Sequence, residues 1–274
     1  MILLVASNKD PAGTNIAKYI LQHYPFQETE SKFQENPVYT AKIADKQVTH
    51  VTLSEEAVNA QTLPETFPNA ELIVFVSRHS SQSGKPTLSV HTPGNFAAAE
   101  LGGLPRCVSV APANAMRTAL KTMKRLQIQR SLSYEVSFEC THHGPSLNVP
   151  AMFVELGSSP PQWTDTRAAA VVAEAAMEAI AVFDNSRGTA VLGIGGTHYN
   201  QKFTQMALAD EAVFGHMIPK YALAQVDLEM LRQCTEKTME KVEVAVLDWK
   251  GIRSEDKPRI LASLQEADLS IKKV

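Results

Sequence analysis

Short, uninterrupted apolar runs, each leading into a polar loop, limit this chain of 274 residues to a few architectures. Residues 2–6, 72–76 and 190–194 are runs of this kind, too short for helices, and they read as buried strands. Segments of helical period lie between them. Ile16, Ile20, Leu21 and Tyr24 share the inner side of a helix that starts near Thr14 and stops at Pro25. An amphipathic helix covers 114–126, with Met116, Ala119, Leu120 and Met123 on one side. An Ala-rich helix spans about 166–183, and its small side chains let it lie flat on a sheet. Further helices are expected near 202–209, near 227–238 and from Asp256 or Lys257 onward, with strands at 48–53 and 242–247. Strand and helix in alternation predict an α/β fold. With no repeat, low-complexity linker or evident boundary, residues 1–274 read as one domain.

The chemistry concentrates at Phe138-Glu139-Cys140-Thr141-His142-His143-Gly144-Pro145. Before it, Tyr134, Val136, Phe138 and Cys140 alternate with Glu135, Ser137, Glu139 and Thr141, the period of a strand. A second apolar run, Ala151 to Gly157, carries Glu155. Two imidazoles and two carboxylates are thus expected together at the rim of a sheet, where α/β folds place ligands. His79, His91, His198 and His216 repeat the pattern, each in a strand end or loop beside Gly, Pro or Ser. His23 and His50 lie in ordinary helix and strand contexts.

Neutral imidazole suits zinc, and two or three histidines with one carboxylate leave a position for water. Without metal, the same groups serve as general base and oxyanion partner in a hydrolysis. Both readings stay open at the level of spacing. No His-Glu-x-x-His and no G-x-S-x-G occurs, and Gly193-Ile194-Gly195-Gly196 is not a dinucleotide fingerprint. Its glycines let the backbone approach a substrate or present amides to an oxyanion.

A net charge of −3 argues against non-specific coating of nucleic acid. Arg117, Lys121, Lys124 and Arg125 nevertheless line one side of the 114–126 helix, either as a stripe that meets phosphates or as a solvated face. Asn8 and Asp10 follow the first strand, as ligand contacts or as a helix cap. No apolar run reaches the roughly 18 residues of a membrane span. Cys107, Cys140 and Cys234 form no Cys-x-x-Cys, which fits a reducing compartment without a thiolate zinc knuckle. A cytoplasmic, monomeric protein with no membrane or DNA partner is expected.

Several stretches, in order over roughly residues 1–225, resemble the archaeal and plant type of D-aminoacyl-tRNA deacylase. They are Asp10-Pro11-Ala12, Ser77-Arg78-His79-Ser80-Ser81, Ser89-Val90-His91-Thr92-Pro93-Gly94-Asn95, Glu139 to Pro145, Glu155-Leu156-Gly157-Ser158-Ser159, Gly193 to Tyr199, and Gly215-His216-Met217-Ile218-Pro219-Lys220-Tyr221. Cys140 departs from the small residue expected there, and the last 50 residues or so carry no matching motif.

The resemblance implies hydrolysis of the ester of D-aminoacyl-tRNA, which recycles mischarged tRNA. It also implies a three-layer α/β/α sandwich with a mixed central sheet, phosphorylase/hydrolase-like, and zinc as cofactor. Beyond what the family implies, His91, His142, His143 and Glu155 are the expected metal ligands. His142, His143, Glu155 and His198 are the expected water-activating set, with the Gly195 and Gly196 amides on the oxyanion. His79, His216, Lys220 and Asp10 are expected at the substrate, and Arg117, Lys121, Lys124 and Arg125 on the acceptor stem. Two other readings remain at this stage: a zinc-dependent hydrolase of a small amide or ester, and a nucleotide-binding protein without chemistry.

Overall fold

The computed structural model describes residues 1–184 and 188–274. Strand β1 (Ile2–Ser7) leads into helix α1 (Pro11–His23). This helix begins three residues earlier than its apolar spacing predicts, because Asp10 caps it and Pro11 suits the first turn. A hairpin the periodicity did not reveal follows, β2 (Gln27–Phe33) and β3 (Asn36–Ile43), and β4 (Lys46–Leu53) continues it. Strand β2 is almost wholly exposed, so it carries no buried alternation to read. A one-turn helix α2 (Leu63–Thr66), then β5 (Leu72–Arg78), β6 (Thr87–His91) and the two-residue strands β7 (Gly94–Asn95) and β8 (Cys107–Val108) come next. Helix α3 (Ala113–Gln129) precedes β9 (Glu135–Phe138) and β10 (Ala151–Gly157). The short α4 (Pro160–Trp163) and the Ala-rich α5 (Thr166–Ala181) complete the first part.

Eight of these strands form one mixed sheet in the order β2-β3-β4-β1-β5-β10-β6-β9. Side chains alternate between its faces. Even-numbered residues such as Val74, Val76, Val90, Phe138 and Val154 join the core under α1, α3 and α5. Odd-numbered residues, Leu3, Val5, Ile73, Phe75 and Phe153, pack on the other face against Ala57, Leu63 and Leu147.

The remaining chain builds a second sheet, which the sequence reading did not separate from the first. Its elements are β11 (Thr189–Ile194), α6 (Gln201–Leu208), β12 (Phe214–Ile218), α7 (Leu228–Glu236), β13 (Lys241–Leu247), α8 (Lys257–Glu266) and β14 (Ser270–Lys273). All four strands are parallel, in the order β12-β11-β13-β14. Phe203 and Met206 of α6 enter the large core of the first sheet, whereas α7 and α8 cover the far face with Met230, Leu231, Ile260 and Leu264.

The two sheets are sewn together at Glu139–Thr141. The amide of Glu139 donates to Val90 of the first sheet, that of Cys140 to the His198 carbonyl and that of Thr141 to Met217 of the second.

Candidate active site

The functional side chains gather at and just beyond strand ends, on one face of the first sheet. Register explains why. Glu155 of β10 lies opposite Ser77 of β5 and Ser89 of β6, and Ser89 lies opposite Ser137 of β9. One row further along, Phe153 lies between Phe75 and His91. All of these are odd-numbered, so they leave the face turned away from α1, α3 and α5. His91 stacks on Phe153 at 5.1 Å between ring centroids and 9° between planes. Glu139 and His79 each follow the last residue of their strand and extend the same face.

Three rings converge here. His91, His142 and His143 each offer a ring nitrogen within 4.8 Å of the others, and the Nε2 atoms of His91 and His143 are 3.2 Å apart. The Nδ1–H of His142 donates to the Cys140 carbonyl at 2.9 Å, and that of His143 to the Gly144 carbonyl at 2.6 Å. These bonds fix the tautomer that leaves Nε2 of each ring as an acceptor lone pair, the arrangement metal-binding histidines use; that of His143 accepts from His91 Nε2–H. Burial, then the neighbouring imidazoles, hold His91 and His142 well below the ordinary histidine range, and burial pushes His143 down to about 4. The trio is therefore neutral. Nδ1 of His91 is buried without a hydrogen-bond partner. His143 has φ 44°, a left-handed conformation that costs a non-glycine residue about 1–2 kcal/mol. The Gly94 amide steadies it by donating to the carbonyls of His142 and His143.

The second cluster is anionic. Glu139 is fully buried, and its Oε2 accepts from His198 Nε2 at 2.9 Å and lies 3.6 Å from His142 Nε2. Its Oε1 is 3.1 Å from His79 Nδ1, without good hydrogen-bond alignment. Burial would raise the Glu139 carboxyl, but His198 and His79 outweigh it and hold it well below the usual carboxylate range. Burial also works against the charged form of His79, yet Glu139 and Glu155 push it up to about 11. Its Nε2–H donates to the Tyr199 hydroxyl at 2.5 Å. Glu155 accepts from Ser77 at 2.7 Å, and burial pushes it up to about 7 against the pull of His79. Two carboxyls sharing one imidazolium are thus driven apart in acidity.

Glu155 groups with His79 and Glu139, not with the three imidazoles. Glu139 takes the place beside His142 and His198 that the expected ligand set gave to Glu155. Glu139 is fully buried where the second sheet abuts the end of β9. His198 Nδ1 meets the Tyr221 hydroxyl at 3.1 Å, and a cavity of about 410 Å³ opens from His142 and His143 past Gly94, Phe96, Leu101 and Tyr221.

The other predicted residues lie elsewhere. Asp10 accepts from the Gly13 and Arg78 amides and so anchors the turn that carries His79. The ring of His216 is enclosed by the Thr141 hydroxyl and the carbonyls of Ser109 and Lys237, away from the cavity. Lys220 is exposed, and its amide donates to the Gly196 carbonyl. The Gly195 and Gly196 amides donate to Ile218 and Gly251 carbonyls, so both are already engaged. Arg117 and Lys121 lie 3.6 and 2.5 Å from Asp210, and Lys124 donates to Gln127. With Arg125 they belong to α3, which packs on the opposite face of the sheet from the histidines.

Among the described residues, no helix is long and apolar enough to cross a membrane. The chain is 36% identical to the D-aminoacyl-tRNA deacylase of Pyrococcus abyssi, over 98% of both chains. It is 33% identical to that of Methanococcus maripaludis strain S2, over 99% of both. A crystal structure described as a conserved protein of unknown function superposes with a TM-score of 0.88 at 30% identity, over 100% of this chain and 95% of the other. The family model for D-aminoacyl-tRNA deacylase matches residues 66–272, and the chain therefore belongs to that family.

Proposed function

We infer that the chain hydrolyses the ester between a D-amino acid and the terminal ribose of tRNA, with His198 as general base and zinc at the imidazole trio. One observation carries the site assignment. The Nε2 lone pairs of His142 and His143 and the ring of buried His91 gather where the cavity ends. Three neutral imidazoles with an unpartnered buried nitrogen among them fit a zinc ion. Bound zinc would polarise the ester carbonyl or acidify a water.

The protein's own groups supply the proton transfers. Glu139 accepts from Nε2–H of His198, which orients the ring and stabilises its imidazolium. Nδ1 of His198 faces Tyr221 at the cavity and accepts a proton from the attacking water. The water oxygen adds to the ester carbon; when the carbon–ribose oxygen bond breaks, His198 returns that proton to the leaving ribose oxygen. The charged His79, shared by Glu139 and Glu155, holds in place the Glu139 carboxylate that orients His198. Action on tRNA supports a cytoplasmic location.

The test is D-tyrosine release from D-Tyr-tRNA together with zinc content. Chelation should abolish release and zinc restore it, and His142→Ala should lose both metal and activity. No release by folded, zinc-loaded protein would overturn the reading. Release indifferent to chelation would remove zinc and keep the hydrolysis.

A further inference from the structure

The four strands of the second sheet all run the same way, so their carboxyl ends share one edge. The loops after β11 and β12 send His198 and Tyr221 to the active site. The loop after β13 carries Trp249 and Lys250, and Lys273 is the last residue of β14. Helix α6 leaves β11 toward the first sheet's core, while α8 leaves the adjacent β13 on the other face. This reversal between neighbouring parallel strands is where open α/β sheets take ligands. The two loops touch there: the Gly196 amide donates to Gly251, and Gly195 and Gly196 have φ of +101° and +78° against Asp248 and Ile252.

The charge along this edge is unbalanced. Lys273 Nζ lies 3.9 Å and Lys257 Nζ 4.5 Å from the centroid of the Trp249 ring. Lys220, Lys250 and Lys273 are exposed. None of these four lysines has a carboxylate partner among the described residues, and the nearby carboxylates are bound elsewhere. Asp248 is held by Lys202 at 2.5 Å, Asp256 by Arg259 at 3.5 Å and Glu255 by Arg253 at 3.7 Å. Trp249 gathers two ammonium groups without neutralising them. The α3 stripe differs, since Arg117 and Lys121 share Asp210.

We propose that this edge, Lys220, Lys250, Lys257 and Lys273 around Trp249, holds phosphates of the polynucleotide whose aminoacyl end enters the histidine cavity. The proposal rests on the deacylase reading, because it extends that site's substrate along the same strand ends. Phosphate contacts position a nucleic acid and make its binding depend on salt.

The test compares D-Tyr-tRNA with D-tyrosyl-adenosine, which has the ester and the nucleoside but no phosphate. In the Lys250→Gln/Lys257→Gln/Lys273→Gln variant, KM for D-Tyr-tRNA should rise about tenfold. The slope of log(kcat/KM) against log salt should flatten by about 2, and kcat/KM for D-tyrosyl-adenosine should stay as in wild type. Arg117→Gln/Lys121→Gln should leave KM for tRNA unchanged. An unaltered KM and salt slope in the triple variant would overturn the proposal, as would an equal loss on both substrates or a KM effect confined to the α3 variant. Wild-type protein that cleaves neither ester would count against the deacylase reading instead.

Discussion

At the residue scale, Glu139 joins the two halves of the site. It is wholly buried between His79 and His198, with His142 3.6 Å from the same oxygen that accepts from His198. Glu139→Gln keeps the shape and removes the charge that orients His198, so kcat should fall roughly 10²- to 10⁴-fold, with KM changing little. Steady-state kinetics on D-Tyr-tRNA checks this; a kcat within a few-fold of wild type would remove Glu139 from the chemistry. The histidines were legible from their places at strand ends. Glu139 was expected beside the histidines from the same motif, but its complete burial was not legible, because nothing local says that a second sheet covers a polar, alternating position. The backbone bonds of His142 and His143 likewise follow from a turn, not from residue type.

At the element scale, strand alternation sets which residues meet, and close packing sets how firmly. A side-chain carbon on Gly157 of β10 would sit 2.6 Å from Cβ of His79. Gly157→Ala must therefore push His79 from its carboxylates and should cost about 1–3 kcal/mol, with lowered activity; urea titration and turnover read both. Strand β4 carries a separate liability. His50 is buried with Nδ1–H donating to the Leu4 carbonyl at 3.2 Å, and burial pushes it down to about 4. The unfolded imidazole titrates near 6.5, so the unfolded chain takes up this proton first. The stability tied to the neutral ring is complete above that value and is lost as pH falls toward 4. Between pH 7 and pH 5 this amounts to about 2 kcal/mol. His50→Gln should be less sensitive to that pH change in urea unfolding by about that amount; an identical slope would contradict the assignment. The buried strands and long helices were readable from period. The exposed β2 was not, since no core face marks it.

At the scale of the whole molecule, the site exists because two sheets meet. Glu139–Thr141 bonds to both, and α6 of the second part enters the core of the first. The sequence showed strand–helix alternation throughout but not that the parallel strands after residue 188 form a sheet of their own, since pairing partners are non-local. That arrangement brings His198, Tyr199 and Tyr221 over a face that would otherwise be an ordinary sheet surface. The central claim is that this junction cleaves D-aminoacyl esters through His198. The most direct test is tyrosine release from matched D-Tyr-tRNA and L-Tyr-tRNA by wild-type and His198→Ala protein. The account predicts rapid cleavage of the D-ester, little of the L-ester, and a loss of about 10²-fold or more on the D-ester in the variant. Equal cleavage of both esters, or full activity without His198, would contradict it.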